Sequence, residues 1–160
     1  PQGPASPPAD GSPAAVPARP AVIAAGVVGV REGEAAPPSD AAALYVTARV
    51  AAPEWQSAGK TPPLASARFA APSLPYEFEL SAADLTAEYL NVPQREWDAL
   101  DLAISCRLDT DGVAATRDAS DLVGRAQLIK RGRREPAAWS PVRVELQGRG
   151  LAGKLVVRQK

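Results

Sequence analysis

The sequence of 160 residues carries 18 basic and 18 acidic side chains, one cysteine and no histidine. This balanced charge gives no reason to expect nucleic acid or a membrane surface as the partner. A single cysteine excludes an intramolecular disulfide, and the absence of histidine removes Ser-His-Asp and Cys-His catalytic arrangements and the usual zinc ligand sets. We therefore predict a protein that is not an enzyme and has no catalytic residue, no metal site and no cofactor.

Composition divides the chain into an arm and one domain. Residues 1–20 are rich in Pro, Ala, Gly and Ser and hold almost nothing to bury, so we expect an extended or disordered arm. The rest, 21–160, suffices for one hydrophobic core, and we predict a single β domain there. No apolar run approaches the length of a membrane span, and because the chain begins with Pro we expect that a targeting peptide has been removed.

Four strands are predicted in the first half of the chain, at residues 22–30, 44–50, 64–70 and 76–80. The first contains Gly26 and Gly29, which indicate a bulge or a bend. The fourth follows Pro75, so we expect it at a sheet edge. Its glutamates, Glu77 and Glu79, are expected to face solvent.

The middle of the chain predicts one short helix and one well-defined strand. The helix is expected at residues 81–89, where Ser81 and Asp84 have the spacing of a capping box. The strand, residues 100–108, has apolar side chains at alternate positions, and the Asp-Thr-Asp-Gly sequence after it predicts a reversal. Cys106 lies on its apolar side and is expected to be a buried, inert thiol.

The last part predicts three more strands, at residues 122–130, 142–147 and 151–157, with residues 113–121 as a connection. Gly124 indicates a bulge in the first of them. The sequence therefore predicts a mostly β fold, an antiparallel β-sandwich or barrel of about seven short strands with one short helix and a Pro-rich N-terminal arm.

Candidate partner-binding residues lie in the predicted loops, because loops on a rigid sheet usually carry recognition. They belong to an exposed basic loop, two tryptophans and the turn after residue 108, and are Lys130, Arg131, Arg133, Arg134, Trp55, Trp139, Asp109, Asp111 and Arg117. For both tryptophans, packing in the core is an equal alternative. Asp109, Asp111, Asp118 and Asp121 lack the spacing of an EF-hand, so turn and cap roles are expected before calcium binding.

The charges are unevenly distributed along the sequence. Residues 77–121 include 11 acidic and 3 basic side chains, whereas residues 125–160 include 2 acidic and 10 basic ones. Two halves of one sheet that pair their charges explain this pattern. The alternative is a polar molecule with one docking face.

Two groups of sequence strings resemble known families. Residues 44–49, 62–65 with Arg68, 74–75 with Phe78 and Leu80, Ser105 with 107–108, and 121–124 resemble the C-terminal periplasmic domain of bacterial c-type cytochrome maturation factors. This resemblance implies an apocytochrome-binding chaperone. Residues 43–47, 78–80, 84–86, 108–117 and 121–125 resemble a small thylakoid-lumen protein family of plants and green algae.

The second resemblance covers nearly everything after the arm, and its implications are the ones that we adopt as expectations. It implies a non-catalytic protein of the chloroplast thylakoid lumen, peripheral and without a transmembrane segment. Its expected role is that of an auxiliary, assembly or repair factor that binds the lumenal face of photosystem II. The apocytochrome-binding chaperone is the alternative. An enzyme is a second alternative, which the missing histidine disfavours and which a deep pocket with convergent carboxylates would support.

Overall fold

The computed structural model describes residues 20–33, 40–51, 62–111 and 121–148. Seven strands run through this part of the chain: β1 (Val22–Val30), β2 (Ala43–Val50), β3 (Ala65–Ala70), β4 (Tyr76–Ser81), β5 (Leu102–Asp109), β6 (Leu122–Leu128) and β7 (Val142–Gly148). The predicted mostly β fold is confirmed. Of the predicted arm only Pro20 is described. The predicted connection at 113–121, except Asp121, and the predicted strand at 151–157 lie outside the described residues.

The seven strands form one nearly closed, barrel-like sheet in the order β3-β2-β5-β6-β7-β1-β4. Neighbouring strands are antiparallel except β1 and β7, which run parallel with Val28 beside Val144. Strand β4 lies at an edge, as Pro75 predicts. Leu85, which follows β4, forms an isolated bridge to Ala65 of the other edge strand, so the chain itself brings the two edges together.

Strand β5 shows why one side of the sheet is the core. Its even-numbered side chains, from Leu102 to Leu108, are all buried, as their alternation predicts. Cys106 is among them, so the prediction of a buried thiol is confirmed. Leu100 was also expected inside, but its side chain is 38% exposed. That expectation was wrong because Leu100 precedes the strand, in a turn where its N–H donates to the carbonyl of Trp97.

Two of the glycines predicted at bulges instead permit close contact between strands. A Cβ atom on Gly26 would lie 2.5 Å from the carbonyl oxygen of Val142, and one on Gly124 would lie 2.5 Å from that of Glu145. The register of β6 with β5 runs through Gly124 without a shift, and the irregularity of β1 falls at its first residues. The bulge prediction was therefore wrong at both positions, where neighbouring backbone leaves no room for a side chain.

Two 3-10 turns, Ala82–Asp84 and Ala87–Tyr89, replace the predicted helix, and the described residues include two more, Gln94–Glu96 and Pro136–Ala138. The capping box is confirmed, because the Ser81 hydroxyl accepts from the Ala83 N–H at 3.2 Å and the Asp84 carboxylate accepts from the Ser81 N–H at 2.9 Å. A continuous helix does not form because Leu85 takes an extended ψ of 140° and pairs with Ala65. Within the described ranges, no helix has the length and apolar character needed to cross a bilayer.

Candidate functional site

Strands β6 and β7 present arginines on the outer surface of the sheet. Inward positions of β6 are even-numbered, so odd-numbered Arg125 points outward, and on β7 Arg143 lies outward between two buried valines. Together with two arginines of the loop after β6 they form what we call the basic face: Arg125, Arg131, Arg133 and Arg143, all exposed. Two exposed glutamates, Glu135 and Glu145, leave the surface with a net positive charge.

A pocket of about 480 Å³, here called the Trp139 pocket, opens in the basic face. Arg131, Arg133 and Arg143 line it, together with the apolar side chains of Ile129 and Trp139. No carboxylate is present among its described lining residues. The pocket therefore offers cationic donors beside an apolar wall, an arrangement suited to an anion.

The structure corrects the predicted role of Lys130. This residue was expected in an exposed loop, but it is fully buried, two positions beyond inward-facing Leu128 and on the same side of the strand. Its Nζ donates to the carbonyl of Asp98 at 3.2 Å and lies 5.0 Å from the centroid of the Trp139 ring. Burial lowers the pKa of Lys130 from 10.5 to about 8, against the opposing charges of Asp98 and Asp101. Lys130 thus anchors the loop from inside and is inaccessible to a partner.

A single carboxylate fixes the start of the loop. Oδ1 of Asp101 accepts the backbone N–H groups of Lys130 at 2.7 Å and Arg131 at 3.0 Å. Arg131 has φ of +53°, in the left-handed region that non-glycine residues enter at a cost. The paired hydrogen bonds stabilise this backbone conformation and so direct the Arg131 side chain onto the basic face.

The other two loop arginines differ in role. Arg134 Nε donates to Oδ1 of Asp98 at 2.8 Å, and Arg134 Nη2 donates to the carbonyl of Arg95 at 3.1 Å. Arg133 Nη1 donates to the carbonyl of Ala138 at 3.1 Å, across the loop that surrounds the pocket. Arg134 therefore ties the loop to the segment before β5, whereas Arg133 lines the pocket.

Of the two predicted tryptophans, only Trp139 is described. It is 6% exposed, so the alternative of packing in the core is confirmed and the expectation of an exposed ring is wrong. Its Nε1–H has no hydrogen-bond acceptor among the described residues. Trp55 and Arg117, the other predicted contact on the turn, lie outside the described residues.

The aspartates predicted in the turn after β5 hold the sheet together. Arg107 Nη1 lies 3.1 Å from Oδ2 of Asp109 and 3.5 Å from Oδ2 of Asp121. The N–H groups of Thr110 and Asp111 donate to Asp121 Oδ1 and Asp109 Oδ1, each at 3.1 Å. Turn and cap roles are confirmed for Asp109 and Asp121, and Asp118 lies outside the described residues. Burial raises the pKa of Asp109. Asp109 is only 1% exposed, so its prediction as a docking contact was wrong.

Sequence reasoning missed two residues of the basic face, Arg125 and Arg143. Both could have been found from the period of two, since Arg143 alternates with Val142 and Val144 in the predicted strand. The same reasoning applied past Leu128 would have placed Lys130 inside. The exposed arginine Arg68 lies elsewhere, on edge strand β3, with its Nε donating to the Tyr45 hydroxyl at 3.2 Å.

Comparison with known proteins adds one structural likeness. No family model matches the sequence, and no curated protein matches it. Among solved structures, the chain is similar to an alternative pilotin from the type II secretion system of Vibrio cholerae, with 20% sequence identity and a TM-score of 0.46 over 79% of this chain and 96% of that one. We draw no functional conclusion from so distant a likeness. The resemblance to the thylakoid-lumen family stays a prediction.

Proposed function

We propose that this chain is a non-catalytic protein-binding domain whose basic face docks on an acidic surface of a partner. The observation that carries the proposal is the pocket among the arginines of that face, whose described lining holds no carboxylate. Guanidinium groups pair with carboxylates through two parallel hydrogen bonds, which gives both affinity and orientation.

The loop that contributes Arg131 and Arg133 to the basic face is held in place by contacts within the domain. Asp101 holds its first turn, buried Lys130 anchors it from below, and Arg134 ties it to Asp98. Groups held in place before binding lose less conformational freedom when a partner arrives, so more of the contact energy contributes to affinity.

On the sequence resemblance alone, we further propose that the partner is the lumenal face of photosystem II. In this proposal the domain works in the chloroplast thylakoid lumen as an auxiliary, assembly or repair factor. Its mechanism is occlusion, in which the docked domain covers a site that a later subunit occupies.

Retention of the purified chain on photosystem II-enriched membranes, washed at rising salt, tests both the docking through the basic face and the identity of the partner. The wild-type chain is compared with Arg143→Glu, and Arg68→Glu supplies a matched reversal of charge at an exposed arginine on edge strand β3. We expect release of the wild type by moderate salt, roughly tenfold weaker retention of Arg143→Glu, and wild-type retention of Arg68→Glu.

Two results would count against the proposal. Equal retention of both variants would remove the basic face as the docking surface. Failure to bind these membranes, with binding to unfolded haem-motif peptides instead, would replace the photosystem by the apocytochrome-binding alternative.

A further inference from the structure

We propose that the Trp139 pocket binds the C-terminal carboxylate of a peptide whose last side chain is apolar. This inference rests on the proposed function, because it takes the basic face as the surface that meets the partner. It adds the chemistry of the group that enters the pocket.

The polar groups around the pocket are mainly donors. Three arginines line it, and Ser140 is also a lining residue. The indole Nε1–H of Trp139, a lining residue that is only 6% exposed, has no acceptor among the described residues. Buried donors are nearly always paired, so in this proposal the bound carboxylate supplies the missing acceptor, which requires a small local opening because the N–H is itself buried. A carboxylate accepts hydrogen bonds at both oxygens and donates none.

The rest of the pocket is apolar. Ile129 is 38% exposed, and Ala138 and Pro141 also line the cavity. A volume of about 480 Å³ admits the end of a chain and excludes a folded element. The ligand must therefore bring a carboxylate and an apolar group close together. A C-terminal residue carries both on the same Cα atom, whereas an internal Asp or Glu carries its carboxylate in place of an apolar side chain.

The surface next to the pocket favours a peptide over a small free acid. Gln127 lines the pocket and Arg125 lies two positions further along the same outward row of β6. These side chains continue the polar surface away from the pocket, along the strand direction. A peptide anchored by its last residue places its preceding residues there, whereas a free acid ends inside the pocket.

Titration of the ¹⁵N-labelled full chain with three peptides tests the inference. The peptides are acetyl-Ala-Ala-Leu with a free acid, the same peptide with a C-terminal amide, and acetyl-Ala-Glu-Ala amide, which carries an internal carboxylate. The indole Nε1–H resonance of Trp139, assigned by its loss in Trp139→Phe, reports on the pocket. That of Trp97 is the control, because its Nε1–H already donates to the carbonyl of Val92 at 3.4 Å.

We expect the free acid to shift the Trp139 indole resonance, to leave that of Trp97 in place, and to bind at least tenfold more tightly than either amide. Trp139→Phe should lose this preference. Because that variant alters a buried ring, a second variant is made at the exposed rim. We expect Arg143→Gln to weaken binding of the free-acid peptide by several-fold.

The outcomes separate this inference from the proposed function. If the internal-carboxylate peptide binds the basic face as tightly as the free acid, and the Trp139 indole does not move, the C-terminal pocket is refuted while docking on an acidic surface stands. If none of the carboxylate peptides binds, both proposals fail. Equal binding of acetyl-Ala-Ala-Leu and its C-terminal amide also refutes binding of a C-terminal carboxylate in the pocket.

Discussion

The pH dependence of unfolding tests whether Lys130 is buried as the structure has it. Lys130 is fully buried, and its pKa falls from 10.5 to about 8. Below pH 8 the side chain is protonated in both states, so the folded protein bears the full cost of burying the charge. Between pH 8 and 10.5 the unfolded chain binds more protons, and the free energy of unfolding therefore rises with pH. Above pH 10.5 the contribution of Lys130 to the free energy of unfolding is constant.

The size of this effect follows from the pKa change. At about 1.4 kcal/mol per pKa unit, the contribution of Lys130 amounts to about 3 kcal/mol across the window. Lys130→Met removes the titrating group and keeps a long unbranched side chain beside the Trp139 ring. Urea unfolding of both proteins, followed by tryptophan fluorescence from pH 7.5 to 10.5, gives the two free-energy curves.

The test compares the free energies of unfolding of the wild type and Lys130→Met at each pH. Burial also raises the pKa of Cys106 from 9.0 to about 12, so its contribution is lost as pH rises through this range in both proteins and cancels in the difference. We expect the stability of the wild type relative to Lys130→Met to rise by about 3 kcal/mol between pH 7.5 and 10.5. Parallel curves would refute the buried, charged lysine and the anchoring of the loop that depends on it.

Three further predictions follow from single contacts. Asp101→Ala removes the acceptor of two backbone N–H groups and should lower the free energy of unfolding by about 2 kcal/mol in urea, whereas Asp40→Ala at an exposed turn should change it by less than about 0.5 kcal/mol. Gly124→Ala places a Cβ atom 2.5 Å from a carbonyl oxygen and should lower the free energy of unfolding by about 2 kcal/mol or more. Gly29→Ala enters open space and should be neutral or slightly stabilising in the same assay. Equal effects of the two substitutions would contradict the close strand contact at Gly124. The Cys106 thiol should not react with a disulfide reagent at pH 8 until urea unfolds the chain, and rapid reaction of the native protein would contradict its burial.

Much of the sheet is predictable because alternation identifies its strands. Buried Val142, Val144 and Leu146 follow the period of two, and their strand was predicted at 142–147 where the structure has Val142–Gly148. Alternation predicts which side of the sheet each side chain faces, but it does not predict the residue at which the strand begins or ends. Leu100 is in phase with β5 and yet exposed, because a turn precedes the strand.

The errors in the binding site arose from residue chemistry taken without position. The basic sequence after β6 was predicted to be one exposed group. In the structure Lys130 is buried inside the sheet, and Arg134 forms an ion pair with Asp98. The pocket lies between β6, β7 and the loop that joins them, and the described register of the two strands pairs only Leu122 with Gly148 and Val123 with Gln147. Alternation predicts both strands but does not show where their pairing ends, so the pocket was beyond prediction.

The most direct test of the account is the salt dependence of binding to one acidic ligand. A fluorescein-labelled peptide ending in Glu-Asp-Ala-Leu with a free C-terminus is titrated with the wild type, Arg143→Glu and Arg68→Glu at 20, 60 and 200 mM salt, chosen to span roughly a threefold range of screening length. We predict that the Kd of the wild type rises with salt, that Arg143→Glu binds about tenfold more weakly at the lowest salt, and that Arg68→Glu matches the wild type. A Kd that is independent of salt and equal in all three proteins would contradict binding through the basic face.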